Sequence, residues 1–188
     1  MQAEPIEFVL NWLKCASAQI SSEYFHLPVA GQPNKKFRER VYCYELYHRW
    51  RQHWPENFPY SLCGEVDKRG HPLIKGKYLK SSIPDFLVHV PRSMDNLLVM
   101  EVKPAYRTAT DLVKDLKKLT AFRSSLTDEH GQPANYKNAI LWLYGRPEKG
   151  WNNLIKEIHS LCDKEVKLSL IDCYIHEFPH SSAQLLNW

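Results

Sequence analysis

A chain of 188 residues can bury the core of one domain, and 44% hydrophobic with 24% charged residues is the balance of a soluble globular protein. The formal net charge of +4 permits a nucleic-acid partner without demanding one. Five cysteines without a CxxC or Cys/His spacing exclude a zinc finger and point to reduced, mostly buried thiols. With no basic segment leading an apolar one and no run of spanning length, the expectation is a cytoplasmic protein without a membrane segment.

In chain order, residues 5–21 predict a helix, since Ile6, Val9, Leu10, Leu13 and Ala16 follow the 3.6-residue period and Pro5 suits a first turn. Residues 27–34, with two prolines and a glycine, read as a loop. A second helix is expected over 35–53, with Cys43, Leu46, Tyr47, Trp50 and Trp54 as one apolar stripe and Phe37, Val41 and Tyr44 as another. Glu45 borders the second stripe, where it can pair with Arg49 at i,i+4 or face inward. Residues 60–66 predict a strand, 67–70 a turn, and 74–79 a further short strand. A helix follows over 108–124, capped by Thr108 or Thr110 and buried along Leu112, Leu116, Leu119 and Phe122. A turn at 128–132, a central strand at 138–144, a helix at 151–162 and a strand at 166–175 complete the order, leaving 178–188 unassigned.

The stretch from 83 to 104 carries the chemistry. Two apolar runs, 86–90 and 97–102, flank Arg92-Ser93-Met94-Asp95-Asn96 and read as a hairpin. Asp85 opens the first strand, Glu101 interrupts the second, and Glu101 and Lys103 project from one face. Unpaired charge at a sheet end is costly, so a divalent metal is the purpose these residues suggest. The order of elements predicts an α/β mixed β-sheet flanked by α-helices in one domain, residues 1–34 packing a helix and loop on a core of 35–188.

Glu45 on a helix, Pro84-Asp85 on one strand and Glu101-Val102-Lys103 on the next, followed by a helix and a strand, resemble the PD-(D/E)xK nuclease superfamily with its restriction-endonuclease-like fold. The resemblance spans about residues 35–144 and implies a metal-dependent nuclease hydrolysing phosphodiester bonds, DNA in preference to RNA. It implies Asp85, Glu101 and the Val102 carbonyl as ligands of Mg²⁺ or Mn²⁺. Lys103 would orient or help deprotonate the attacking water, and Glu45 would hold a metal-bound water or second ion. Glu65, following Gly64 near the end of the 60–66 strand, is a secondary metal-site candidate.

Arg107 and Lys114 border the expected cleft and are phosphate-contact candidates, as are Lys68 and Arg69. Lys35, Lys36, Arg38 and Arg40, with Tyr42, Tyr60 and Tyr78 interleaved, extend that basic surface, although a solvated face explains such runs equally well. Specificity would come from loops, a homodimer or partner proteins. The histidines lack zinc-peptidase spacing, and neither a Gly-x-Ser-x-Gly elbow nor a phosphate loop is present. Two readings compete: a catalytically inactive nuclease-fold subunit that binds nucleic acid or serves structure, and another metal-dependent phosphoesterase on an unrelated α/β fold.

Overall fold

Strand side chains alternate between faces, so a strand apolar on both faces must be covered on both. The central strands here satisfy that condition. The computed structural model describes residues 4–31, 37–66, 77–79, 82–124 and 134–188. Among the described residues six strands form, β1 (Ser61–Gly64), β2 (Phe86–His89), β3 (Asn96–Pro104), β4 (Asn138–Tyr144), β5 (Asp172–His176) and β6 (Gln184–Leu186). They form one sheet in sequence order: β1, β2 and β3 as an antiparallel meander, β4 and β5 added in parallel, and β6 antiparallel at the edge.

Helices cover the two faces. Val88, Leu98, Met100, Val102 and Trp142 pack against α1 (Pro5–Ser17) and α3 (Glu39–Gln52), through Val9, Leu13, Leu46 and Trp50. Leu87, Val99, Leu141 and Leu143 meet α4 (Ala109–Arg123) and α5 (Trp151–Leu161), through Leu112, Leu116, Leu119, Leu154 and Ile158. The fold is therefore α/β, a mixed six-stranded sheet between helical layers.

A buried polar network fixes the rotation of α3. The Tyr42 hydroxyl accepts from Trp142 Nε1 at 2.8 Å and lies 2.7 Å from His176 Nδ1. The Tyr42 ring stacks on Tyr144 at 3.9 Å, tilted by 10°. Satisfied buried hydrogen bonds of this kind allow one rotation of the helix over the sheet. That rotation selects which acid of α3 faces β3.

Several expectations are corrected. The first helix stops at Ser17, and a separate turn of helix, α2 (Ser22–Phe25), sends Phe25 edge-on against Tyr42, Tyr144 and His176. Tyr42 is fully buried and Tyr60 nearly so, which removes both from any polyanion-binding surface. Tyr44, placed on an apolar stripe by period, is exposed. Residues 77–79 form a turn rather than a strand, while 67–70, 74–76 and 128–132 lie outside the described residues. Residues 168–170 form a 3-10 turn that shortens the last expected strand, and the unassigned tail supplies β6. β3 runs to Pro104, which sits opposite Tyr144 in the parallel ladder with β4. Of the five cysteines only Cys43 and Cys173 are buried, Cys63 and Cys162 are partly so, and Cys15 is exposed. No helix among the described residues is long and apolar enough to cross a membrane.

Candidate active site

The site forms where β2 ends before β3 does. Phe86 is the last β2 residue paired to β3, opposite Met100, so Asp85 falls across from Glu101. Beyond that point the backbone donors of β3 need other partners. Asp85 supplies one: its Oδ2 accepts the Val102 N–H at 2.7 Å, which clamps the carboxylate onto β3.

Lys103 reaches into the resulting cleft. Its Nζ donates to the Val102 carbonyl and to Glu39 Oε1, both at 2.9 Å. It also lies 3.4 Å from Asp85 Oδ2 and 3.7 Å from Glu101 Oε2. The oxygens that the resemblance assigns to an ion, from Asp85, Glu101 and Val102, thus surround one positive charge. Glu39, Asp85 and Glu101 share this ammonium, and Arg107 adds a looser contact, Nη2 standing 3.8 Å from Glu39 Oε2. Glu39 Oε2 and the Tyr144 hydroxyl are buried without a hydrogen-bond partner among the described residues.

Electrostatics follow from this crowding. Burial pushes the Glu101 carboxyl well above the usual carboxylate range, and the Asp85 charge adds to the shift. Burial works to lower the Lys103 pKa, but Asp85, Glu101, Asp115 and Glu39 outweigh it and hold the ammonium protonated far above neutrality. Cys43, behind the cluster, is kept a thiol by burial and by the charges of Asp85 and Glu39, which excludes it as a nucleophile at neutral pH. On the α4 side, buried Asp115 pairs with Lys118 at 2.7 Å. Both charges act on Glu101, Asp115 adding to the upward push on its pKa and Lys118 opposing it.

The helical acid at this site is Glu39, not the Glu45 that the resemblance implies. Six residues along a helix turn the side chain by 600°, leaving Glu45 a third of a turn from Glu39. Glu45 is buried against Arg49, with Nε to Oε1 at 2.6 Å, and has no contact with Asp85, Glu101 or Lys103. The signal that marks Glu39 is its spacing: Glu39, Tyr42, Cys43, Leu46 and Trp50 form one inward stripe, with the acid at its sheet-end terminus. Asp115 carries no such signal, since an i,i+3 Asp–Lys pair on a helix reads as a solvated face.

The other candidates distribute as follows. Glu65, with φ of 47°, lies at the rim of a cleft of about 230 Å³ lined by Glu39, Arg40, Ile83 and Asp85, and pairs with Arg40 at 3.0 Å. Arg107 borders the cluster through Glu39. Lys114 is exposed and bonded to Asp111 at 3.0 Å, away from the carboxylates. Lys117 is taken up by Asp163 and Glu165. Lys68 and Arg69 lie outside the described residues.

A divalent ion fits the donor chemistry. Two carboxylates and a carbonyl are hard oxygen ligands of the kind Mg²⁺ takes while keeping several waters, and the local excess of carboxylate over ammonium favours added positive charge. Among the described residues no three His, Cys, Asp or Glu side chains converge to enclose a metal by themselves, so carbonyl, water and phosphate oxygens would complete the shell. Comparison with family models, with curated proteins and with solved structures gives no match for this chain.

Proposed function

We propose that the protein is a metal-dependent nuclease that hydrolyses phosphodiester bonds, acting on DNA in preference to RNA. One observation carries the proposal: Asp85, Glu101, the Val102 carbonyl and Lys103 meet at the point where β2 and β3 part, as the PD-(D/E)xK pattern requires. The preference for DNA rests on the resemblance to that superfamily.

Asp85, Glu101 and the Val102 carbonyl would hold Mg²⁺ or Mn²⁺. The ion, when bound, lowers the pKa of a coordinated water and neutralises charge on the phosphoryl oxygens. Lys103 orients the attacking water and offsets the negative charge that builds in the transition state. Asp85, Glu101 and Glu39 keep Lys103 protonated in the metal-free site, which supports this electrostatic role. Glu39 holds the Lys103 ammonium in position, and Arg107, half-exposed beside Glu39, meets a phosphate entering the cleft.

The test is cleavage of duplex and single-stranded DNA, and of RNA, with Mg²⁺ and with EDTA, using wild type and Asp85→Asn. The expected result is Mg²⁺-dependent cleavage by wild type and loss of at least a hundredfold in the variant. A purified wild-type protein that cuts none of these substrates supports the competing reading of an inactive, nucleic-acid-binding subunit.

A further inference from the structure

Tyr44 is 59% exposed, an unusual position for an aromatic ring on a helix otherwise pinned to the sheet. Tyr47, one turn further on, is half-buried, its ring parallel to Phe86 at 6.3 Å and its hydroxyl bonded to the Leu62 carbonyl. With Cys43, Gly64 and Phe86 these rings line a groove of about 350 Å³, and Asp85 and Glu65 complete its lining. Asp85 also lines the acidic cleft, so groove and metal cluster share a wall. Gly64 forms part of the floor: a Cβ there would stand 3.8 Å from both Tyr47 Cδ2 and Phe86 Cε1.

The chemistry of this groove selects its occupant. Its lining is largely aromatic, which favours flat rings, and it includes two carboxylates, which accept N–H donors. A nucleobase with an exocyclic amino group satisfies both conditions. Only an unpaired base can enter, because in a duplex both faces are stacked and the amino edge is engaged. Arg40, Tyr44, Tyr47 and Arg51 fall at i, i+4, i+7 and i+11, one stripe along the outer face of α3. A strand laid along that stripe would stack its bases on the tyrosines and meet a guanidinium near either end. The Arg40–Glu65 pair is mostly exposed and so holds its arginine weakly.

We propose that the Tyr44–Tyr47 groove binds an unpaired base of single-stranded nucleic acid, next to the phosphate that Lys103 and an ion on Asp85 and Glu101 would hold. The placement of that phosphate rests on the nuclease reading; the groove's affinity for a base does not. The substrate class this implies is a single strand, or a duplex end or junction with unpaired nucleotides.

The test is binding of a short single-stranded DNA carrying 2-aminopurine, and of a matched duplex, with Ca²⁺ replacing Mg²⁺. Base fluorescence reports stacking, and anisotropy reports affinity. The expected results are quenching by wild type and single-strand binding about tenfold weaker in Tyr44→Ala, the scale of one lost stacked base, with duplex binding unchanged. Tyr44→Phe should retain wild-type affinity, and Gly64→Val, which fills the floor, should reproduce the loss. Absence of quenching by wild type, or equal weakening of single strand and duplex in Tyr44→Ala, overturns the proposal. A protein that quenches as expected yet cuts nothing with Mg²⁺ removes the nuclease reading and leaves the groove. One that cuts, with Tyr44→Ala binding single strands as wild type does, removes the groove alone.

Discussion

Replacing Lys103 by Met keeps most of the alkyl stem and removes the charge that three carboxylates share. The ammonium lies 2.9, 3.4 and 3.7 Å from Glu39, Asp85 and Glu101, and its side chain is largely buried. At an effective dielectric constant of about 20, each contact contributes about 5 kcal/mol of gross attraction, most of it offset by the desolvation of Lys103. Removing one partner of such a cluster leaves the others uncompensated, at a net cost of about 3–5 kcal/mol. Lys103→Met should therefore lose about 3 kcal/mol of unfolding free energy in EDTA near neutral pH. The loss should shrink at lower pH, because Glu101, already held above the usual carboxylate range by burial and by Asp85, takes up a proton and relieves the repulsion. Mg²⁺ should restore more stability to the variant than to wild type, since a ligand that binds only the folded state adds about 2.7 kcal/mol at a hundred times its Kd. Denaturant titrations in EDTA and in saturating Mg²⁺ measure all three quantities. Equal stability of the two proteins in EDTA, with equal Mg²⁺ shifts, would refute the shared-charge description of the cluster.

Other residues separate site from scaffold. Glu39→Gln should slow cleavage about tenfold by loosening Lys103, whereas Glu45→Gln, at a carboxylate paired with Arg49, should leave metal affinity and cleavage unchanged; cleavage rates and Mg²⁺ titrations on both variants decide. Arg107→Ala should weaken nucleic-acid binding alike across sequences and make the logarithmic salt slope shallower by about one, measured by anisotropy across a salt series. His176, fully enclosed by Tyr42, Trp142 and Phe25, has its pKa lowered to about 4 by burial. Its folded pKa lies below the unfolded value of about 6.5, so its contribution is complete above that pH and is lost as the pH falls toward 4. The full loss is about 3 kcal/mol, read as the difference between wild type and His176→Gln in denaturation midpoints across that range.

Local signals make much of the scaffold legible in the sequence. The strand at 138–144 is β4 to the residue, because a short apolar run bounded by Asn and Gly has few alternatives. The helix expected at 108–124 starts immediately after its cap, with Thr108 accepting from the Asp111 N–H. The pairing of β2 with β3 follows from turn chemistry, and one step beyond its last pair, Phe86 with Met100, puts Asp85, just ahead of β2, across from Glu101. The features without a local signal depend on long-range packing. The choice of Glu39 over Glu45 is set by the Tyr42–Trp142–His176 network, in which Tyr42 lies a hundred residues or more from both partners. The burial of Asp115 against Glu101 likewise needs the docked α4. β6 is three residues long at the sheet edge, too short to carry a period.

Mg²⁺ affinity and DNA cleavage rate, measured on the same preparations of wild type and Lys103→Met, bear most directly on the claim that two carboxylates hold the ion while the lysine serves the chemistry. Titration calorimetry supplies the affinity, and single-turnover cleavage at saturating Mg²⁺ supplies the rate. Lys103→Met is expected to bind Mg²⁺ at least as tightly as wild type and to cut at least a hundredfold more slowly. A variant that cuts as fast as wild type at saturating Mg²⁺, or wild-type cleavage that persists in EDTA, would contradict that division of labour.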